Sequence, residues 1–335
     1  MSAEPSLEPP KPPAWRLGLL APALALAGQL VPLVLLFLPV PVAIVTDLRG
    51  WRAGAGWGAA AIAAALGGAW LLGADLAGSI AVPVAVATLP FIASTMGLVG
   101  GLLYRRDRHQ GVTYLGPGLV LVMITLAAWL AGRILYEVDL LHVAVEGWRS
   151  VAAESLRRAA EATGGPMPPL EAWEAALQGV AEGMRMLFPA GLVVTAALWS
   201  VGVQWLAGRW LVSLGRPLRP GKPFIRWRFS WFLAWGYIIG QLLVMGVRSG
   251  RLADPGGRLA AVGLNLVLIF TYLFLVEGLA VIWFYLDKWG VGKGVRLLLT
   301  VLLITPFLPL MEPVAWLGML DAWLDFRKLQ REGGS

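Results

Sequence analysis

Residues 259–286 read LAAVGLNLVLIFTYLFLVEGLAVIWFYL, and Glu277 is the only charged residue among them. The hydrocarbon core of a bilayer is about 30 Å thick, so an α-helix that rises about 1.5 Å per residue crosses it in roughly 20 residues. This stretch is long enough to do so. Comparable apolar windows lie at residues 17–46, 53–74, 76–104, 110–132, 186–208, 229–247 and 297–320.

These windows predict an all-α fold, a polytopic transmembrane helical bundle of about 8 to 10 membrane helices. Prolines interrupt the first and the last window, and a proline removes a helical hydrogen bond. We therefore expect a short, proline-broken hairpin at residues 17–46 that turns near Gln29–Pro32, with a single long tilted helix as the alternative. The last window is expected to form a second hairpin or a re-entrant element.

The composition agrees with a membrane protein. Hydrophobic residues make up 58% of the chain and charged residues 14%, whereas soluble domains are about 45 to 50% apolar. The formal net charge is +7, but the basic residues sit in short loops rather than on one polar face, so we expect the lipid bilayer and not nucleic acid as the partner. The chain has no cysteine, which excludes disulfides, thiolate metal sites and a thiol nucleophile.

The chain divides into five predicted segments. Residues 1–16 carry five prolines and are expected to form a disordered tail. Residues 17–136 are expected to hold the N-terminal transmembrane helices, and residues 137–186 an extracytoplasmic amphipathic helical insertion. The C-terminal transmembrane helices follow at 187–326, and residues 327–335 are expected to form a cytoplasmic tail.

The insertion is acidic and amphipathic. Between Ile134 and Arg185 there are eight acidic residues and four arginines. Apolar residues recur there every three or four positions on either side of the sequence GGPMPP at 164–169, which is typical of two amphipathic helices. We expect the pair to form an outer cap that lies over the bundle or on the membrane surface. A surface for a soluble partner is the alternative.

Lysine and arginine in short loops predict the orientation, because such loops stay in the cytoplasm. Residues 209–228 hold six basic residues and no acid, so this loop is predicted to be cytoplasmic. The loops at 105–108 and 287–296 indicate the same side. Alternation then places the N-terminus inside and residues 137–186 outside. The rule has one mild exception, the outer loop that contains Arg248, Arg251 and Arg258.

Glu277 is the most informative single side chain. It lies ten residues before Asp287, about 15 Å from the cytoplasmic end of its helix and therefore near the middle of the membrane. A carboxylate at that depth costs several kcal/mol unless it is protonated, paired or facing a polar cavity. We expect a partner, a proton or a substrate there, with Arg133 and Arg248 as candidate partners. The alternative is a neutral glutamic acid that is hydrogen-bonded between helices.

Three intramembrane amides join Glu277 as candidate substrate-binding residues. They are Asn265, Gln29 and Gln241. An amide inside a membrane can bind a ligand, but it more often forms a hydrogen bond with a neighbouring helix. The structural role is therefore the favoured interpretation for each of the three, and the binding role is the alternative.

Asp321 and Asp325 form a further candidate site near the end of the chain. They lie four residues apart, on one face if this segment is helical, and two carboxylates in that arrangement could bind a cation. Arg327 and Lys328 follow directly. Local charge compensation at the membrane edge is therefore the favoured interpretation.

The sequence lacks the motifs of the common hydrolases and ATPases. HExxH, GxSxG and GxxxxGK[ST] are absent. The two histidines, His109 and His142, fall in different predicted compartments and do not share a metal site. We expect no enzyme activity, no catalytic residues, no cofactor and no metal, and an intramembrane enzyme is a distant alternative. Energy from ATP would have to come from another subunit.

Three patches of the sequence carry a resemblance to a known family. They are LPVP (38–41) with LRGWRAG (48–54), EGLAV (277–281) with FYLDKWG (284–290), and LGMLDAWLDFRK (317–328). Together with the hydropathy layout, they resemble the YybS-like family of bacterial multi-spanning membrane proteins, a domain of unknown function. In that family we expect an amide where this chain has Glu277, and a shorter outer segment.

The resemblance implies a location and two functions. The YybS-like family is similar to the S components of energy-coupling-factor transporters, which bind vitamins or metal ions in a helical bundle and dock on ATP-driven subunits. It therefore implies a transporter-like, small-molecule-binding component of the bacterial plasma membrane, with an unknown substrate and ATP-driven subunits as partners. The family also resembles the cell-shape protein MreD in layout, so the alternative is a non-catalytic scaffold that contacts other envelope membrane proteins. A closed, polar pocket around Glu277 would favour the first function, and a dry, tightly packed interior the second.

Overall fold

The computed structural model describes residues 14–74, 81–135, 137–163, 170–218, 222–304 and 310–328, which form helices and connecting turns without a β-strand. The predicted all-α fold is confirmed. Parts of some predictions lie outside the described residues. They are the tail up to residue 13, the connector 164–169, Arg219 of the basic loop 209–228, Pro306 and Pro309 of the last apolar window, and residues 329–335.

The helices follow one another along the described chain with short connections. They are α1 Ala14–Gly18, α2 Leu20–Ala27, α3 Pro39–Arg49, α4 Trp51–Leu71, α5 Ala81–Arg105, α6 Gln110–Leu135, α7 Leu140–Thr163, α8 Leu170–Ser213, α9 Ala234–Arg248, α10 Arg258–Lys288, α11 Lys293–Ile304 and α12 Met311–Leu324. Short 3-10 turns add Pro32–Phe37, Phe224–Arg226 and Trp231–Leu233.

Within the described ranges, seven helical segments are long and apolar enough to cross a membrane. The predicted eight to ten helices include short, proline-broken ones, whereas these seven segments each have at least 18 residues. In the described part of the last window, α11 and α12 are such shorter helices. The seven segments are Pro32–Arg49, Trp51–Leu71, Val82–Arg105, Gln110–Leu135, Ala172–Ser213, Trp231–Arg248 and Arg258–Lys288.

The chain divides into two compact units. Unit 1 comprises Met1–Ala128 and Thr195–Gly221, and unit 2 comprises Trp129–Val194 and Lys222–Ser335. The predicted insertion at 137–186 belongs to unit 2. Its second amphipathic helix is continuous with a membrane helix. It is the first part of α8, which continues without interruption for 44 residues.

Unit 1 contains the predicted break in the first apolar window. Helix α2 ends at Ala27, the chain turns near Gln29, and α3 begins at Pro39. Pro32 and Pro39 each stand in the first turn of a helical segment, where the missing N–H has no helical partner and a proline is tolerated. Helix α1 packs against α3. The two arms therefore lie side by side, as a hairpin requires.

Helix α3 lies in the core of unit 1 and approaches α5 through glycines. Every residue from Pro39 to Asp47 is buried. A Cβ at Gly97 would collide with the carbonyl oxygen of Pro39, and one at Gly101 with that of Ala43. Small residues at such positions allow the two backbones to touch.

Unit 2 is built on α10, which packs against α9 and α12. Gly240 and Gly263 face each other across α9 and α10, where a Cβ on either would lie 2.9 Å from the carbonyl oxygen of the other. Across α10 and α12, a Cβ at Gly278 would collide with the Val314 carbonyl oxygen, and one at Gly318 with the backbone of α10. Glycine therefore permits both close approaches.

A proline in α8 is compensated by an amide from α10. Pro189 lies inside α8. The Oδ1 atom of Asn265 accepts the N–H of Ala190 at 2.8 Å, and its Nδ2 donates to the carbonyl of Met186 at 2.8 Å. These two backbone groups are four residues apart and would bond each other in a regular helix. Asn265 therefore satisfies the backbone at the proline, inside unit 2.

Unit 1 repeats this arrangement with a hydroxyl group. Pro117 lies inside α6. The Ser200 hydroxyl accepts the N–H of Gly118 at 3.0 Å and donates to the carbonyl of Tyr114 at 2.5 Å. These backbone groups are again four residues apart. In a lipid environment an unsatisfied backbone group costs several kcal/mol, so the inserted side chain makes the interior proline tolerable.

The helices of the insertion pack side by side in unit 2. Arg185 of α8 lies 2.6 Å from Glu146 of α7, and Arg149 donates to Gln178 at 3.0 Å. Residue numbers rise along α7 as they fall along α8, so the two segments are antiparallel. The predicted pair of amphipathic helices is therefore present.

Contacts within each unit join loops that the charge rule assigns to one side. In unit 1, Arg216 lies 3.0 Å from Asp47, and Arg105 donates to the carbonyl oxygen of Asp47 at 3.4 Å. In unit 2, Arg327 donates to the carbonyl oxygen of Ile225 at 2.7 Å. These contacts agree with the predicted alternation of loops. Which side is cytoplasmic stays a prediction.

Candidate functional site

Five charged residues of unit 2 meet where α10, the end of α12 and the segment after the Phe224–Arg226 turn come together. We call Arg228, Glu277, Asp321, Asp325 and Arg327 the charged cluster. The side chains of Glu277, Asp321 and Arg327 have no exposed surface, and those of Arg228 and Asp325 are 15% exposed. Charged groups are rarely buried unless they are paired, so the pairing of each one matters.

The end of α12 positions Arg327. Asp325, the residue after the helix, has a left-handed backbone with φ of 49°, and such a residue turns the chain back at a helix C-terminus. Arg327 therefore faces Asp321, with Nε and Nη2 at 3.1 and 2.8 Å from Oδ2. Its Nη1 and Nη2 also donate to the carbonyl oxygens of Ile225 and Trp227 at 2.7 and 2.8 Å. The guanidinium thus joins three segments of the chain.

Glu277 extends from α10 into the charged cluster and is incompletely bonded. Its Oε2 accepts the N–H of Phe229 at 3.3 Å. Its Oε1 lies 3.7 Å from Nη2 of Arg327, which is longer than a hydrogen bond. Oε1 is buried and has no hydrogen-bond partner. Buried polar atoms are nearly always bonded, so this oxygen requires an explanation.

The charged cluster holds three carboxyl groups and two guanidinium groups. Arg228 lies 3.3 Å from Asp325 and donates to the Ala322 carbonyl oxygen at 3.0 Å. Arg327 is closest to Asp321 and lies 3.7 Å from Glu277, so Glu277 has the longest ion pair of the cluster. A carboxylate that is removed from water and incompletely paired costs several kcal/mol. One proton, or one cationic group, at Oε1 would balance the charge of the cluster.

The structure corrects the expected partners of Glu277. Phe229 and Arg327 contact it, and the arginines suggested by the sequence do not take part. Arg133 lies over the ring of Trp129 at 5.7 Å, and Arg248 is in the last turn of α9, at the end of that helix away from the Arg228 segment. The sequence did not reveal the present partners, because they lie 48 and 50 residues from Glu277.

The interpretation of the two aspartates near the chain end is confirmed for Asp321 only. Asp321 is compensated by Arg327, as the sequence favours. The second pairing differs, because Asp325 is paired with Arg228 and not with Lys328. Arg228 belongs to the basic loop 209–228, whose charges predict the orientation of the chain in the membrane. A residue that ends the helix between Asp321 and Arg327 would have been the signal that Arg327 folds back toward Asp321.

The three candidate amides lie elsewhere. Asn265 is twelve residues before Glu277 on α10, roughly 18 Å along the helix, and is bonded to the backbone of α8. Gln241 donates to the hydroxyl of Tyr237 at 2.9 Å within α9. Gln29 belongs to unit 1, where it donates to a backbone carbonyl of the preceding turn at 3.4 Å. Their role in substrate binding stays a prediction.

A small cavity lies between α9, α10 and α12. It has a volume of about 10 Å³, which is room for about one water molecule. Aromatic residues and one acid form most of its wall, and Glu277 is not part of it: the wall includes Tyr237, Phe270, Phe274, Trp316 and Glu312. Across the described ranges, no three His, Asp or Glu side chains are grouped so that they could hold a metal ion.

Two acids outside the membrane-spanning segments cap helices of unit 2. The carboxylate of Asp254 accepts the N–H groups of Ala260 and Leu259 at 2.9 and 3.2 Å at the start of α10. These bonds, mainly that from Ala260, hold the pKa of Asp254 below its ordinary value. Asp139 accepts the N–H of His142 at the start of α7, which lowers its pKa in the same way.

Comparison with known proteins identifies a family. No curated protein and no solved structure matches the chain. The family model described as "Predicted membrane protein (DUF2232)" matches residues 19–322, which is most of the 335-residue chain. This match and the seven apolar helices of the described ranges support a multi-pass location in a membrane. The chain belongs to this family of membrane proteins of unknown function.

Proposed function

We propose that this protein is a transporter-like membrane component that binds a small molecule in unit 2, as the S components of energy-coupling-factor transporters do. It has no catalytic activity of its own and obtains energy from ATP-driven subunits. Its location is the bacterial plasma membrane, with the N-terminus and the loop 209–228 in the cytoplasm and residues 137–186 outside. The YybS-like resemblance and the distribution of basic residues support this placement.

The observation that carries the proposal is the buried oxygen of Glu277 that accepts no hydrogen bond. Ionisable residues inside a membrane commonly mark the path of a substrate or an ion. Oε1 is buried without a hydrogen-bond donor, in a cluster with one more carboxyl group than guanidinium groups. The chemistry that fits is a donor with one positive charge. A proton and the ammonium group of a small molecule both have this character.

The charged cluster also supplies a means of controlling access. The N–H of Phe229 is bonded to Glu277, and Arg327 holds the neighbouring carbonyl groups of Ile225 and Trp227. The segment 225–229 therefore covers the carboxyl group. A ligand would reach Glu277 when this segment moves away from α10, and the described arrangement corresponds to the closed state.

A non-catalytic scaffold is the second candidate, and the packing favours it. Glu277 is completely buried, and the cavity between α9, α10 and α12 does not include it. In this case the charged cluster is a clamp that holds the end of α12 in place, and α7 with the first part of α8 forms a contact surface for other envelope proteins.

The variant Glu277→Gln separates the two functions, with Glu312→Gln as the matched control. Both acids belong to unit 2, and only Glu277 is in the charged cluster. The full-length proteins are purified from bacterial membranes in mild detergent, and retained small molecules and ATPase subunits are identified by mass spectrometry. We expect the wild type and Glu312→Gln to retain the same small molecule and Glu277→Gln to lose it. Equal retention by all three folded proteins, or retention by none, would contradict a binding role for Glu277.

Infrared spectroscopy distinguishes the two sources of positive charge. A protonated Glu277 gives a carboxylic acid C=O band that is absent from Glu277→Gln and shifts in heavy water. A carboxylate bonded to an ammonium group gives no such band. The spectrum of Glu312→Gln shows how much of the infrared signal comes from Glu312, which is exposed.

A further inference from the structure

Unit 2 has an exposed basic surface near the C-terminal end of α10. Five basic residues share it, and all are exposed. They come from three parts of the chain: the segment after the basic loop, the connection between α10 and α11, and the residues after α12. We call the following residues the basic face: Lys222, Arg226, Lys288, Lys293 and Lys328.

Direct contacts bring these three segments together. The hydroxyl of Tyr285 donates to the carbonyl of Phe326 at 3.1 Å, which joins the end of α10 to the end of the chain. The rings of Phe224 and Trp283 lie 5.6 Å apart, which joins the end of α10 to the segment 222–228. Arg327 completes the set through its bonds to the same segment. The basic face is therefore one surface.

The segments that carry the basic face hold more basic than acidic residues. Residues 222–228, 287–296 and 325–328 together contain eight lysines and arginines and two aspartates. Asp287 is paired at 2.6 Å with Arg296, and Asp325 lies 3.3 Å from Arg228. The surface therefore has an excess of positive charge, which suits an anionic partner.

Exposed aromatic residues indicate the depth of this surface. The side chain of Trp289 is 71% exposed and follows α10 directly, and Trp231, at 53%, begins the membrane-spanning segment that contains α9. Tryptophan favours the layer of lipid headgroups. Lys288 is adjacent to Trp289, so the basic face lies at the level of the lipid phosphate groups.

We propose that the basic face binds the headgroups of anionic phospholipids. The charge of the surface and its position beside membrane-spanning segments select this occupant over an acidic protein. Clusters of lysine and arginine directly beside a transmembrane helix are attracted to anionic lipids. The proposal is independent of the ligand at Glu277, because none of its residues belongs to the charged cluster.

The test compares two triple variants of the full-length protein in a neutral detergent. Lys288→Gln, Lys293→Gln and Lys328→Gln remove three charges from the basic face. The matched control, Arg248→Gln, Arg251→Gln and Arg258→Gln, removes three charges from the connection between α9 and α10, at the other end of α10. The probes are water-soluble, short-chain phosphatidylglycerol and phosphatidylcholine, and the dissociation constant is obtained from the lipid dependence of the melting temperature.

We expect the wild type and the control variant to bind phosphatidylglycerol more tightly than phosphatidylcholine. Each lysine contributes a factor of about five, so the lysine variant should bind phosphatidylglycerol roughly 100-fold more weakly. Added salt should weaken binding by the wild type, because exposed charges are screened. All the variants should have similar melting temperatures without lipid, since the substituted residues are exposed.

Three results would overturn the proposal. One is equal affinity of the wild type for the two lipids. Another is a loss of phosphatidylglycerol binding in the control variant as large as that in the lysine variant. The third is displacement of phosphatidylglycerol by a poly-glutamate peptide at lower concentration than the lipid itself requires, which would assign the basic face to an acidic protein.

Discussion

Replacing Arg327 with Met tests whether the charged cluster holds unit 2 together. Methionine retains most of the length and apolar contact of the side chain but removes the guanidinium. Asp321 then loses its two short contacts, at 3.1 and 2.8 Å. The carbonyl oxygens of Ile225 and Trp227 lose donors at 2.7 and 2.8 Å. The variant therefore leaves a buried carboxylate and two backbone oxygens without these partners.

The expected loss in free energy of unfolding is large for a single substitution. Removing one partner of a buried ion pair costs about 3–5 kcal/mol, because the other charge stays buried. The double variant Asp321→Asn with Arg327→Met removes that charge as well, so it should be more stable than Arg327→Met alone. Groups in one network are coupled by about 0.5–3 kcal/mol, which sets the expected size of the recovery.

The free energy of unfolding is measured by titrating the detergent-solubilised protein with a denaturing detergent. Lys328→Met is the matched control, because it changes the neighbouring basic residue, which is exposed, and should shift stability by less than about 0.5 kcal/mol. The reasoning fails if Arg327→Met is as stable as Lys328→Met. It also fails if the effects of Asp321→Asn and Arg327→Met are simply additive.

Three further predictions concern other features of unit 2. Asn265→Leu should lower the free energy of unfolding by about 1–3 kcal/mol, because two backbone groups beside the α8 proline lose their partner, whereas Gln241→Leu should cost about 1 kcal/mol or less. Gly318→Ala should lower the melting temperature because its Cβ would collide with the α10 backbone, while Gly292→Ala, with open space around the added atom, should have little effect; equal melting temperatures would count against the close packing. The lowered pKa of Asp254 contributes stability above the unfolded value of about 4, and this contribution disappears as pH falls through the folded pKa. The melting temperature of Asp254→Asn should therefore depend less on pH between neutral and strongly acidic conditions, and parallel pH profiles would contradict the capping role.

The sequence predicts the membrane helices well because their signal is local. The window 259–286 is a single helix, α10, and the break near Gln29 occurs where the prolines indicate it. The sequence does not reveal that the second amphipathic helix continues through residue 186. Near this position the sequence changes from an amphipathic to a wholly apolar pattern, which resembles a boundary between two helices. Helix α8 nevertheless continues through it as one helix.

The candidate site is predicted only in part, because its geometry depends on contacts that are distant along the chain. Glu277 is recognisable as a lone charge in an apolar helix. Its neighbours are not, because Phe229 contributes a backbone N–H that no side-chain pattern records. Arg327 faces inward because Asp325 has a left-handed backbone, and aspartate is only one of several residues that can adopt it. Asn265 is bonded at the Pro189 site, a pairing that requires knowledge of which helices are neighbours.

The polar side chains inserted at Pro189 and Pro117 have an evolutionary consequence. In each case a bend in one helix depends on a residue in another, Asn265 or Ser200. Loss of the proline alone would leave the inserted group competing with a restored helical bond, and loss of the inserted group alone would leave the backbone unsatisfied. Related sequences should therefore change positions 189 and 265 together, and likewise 117 and 200, so that substitutions at these pairs covary.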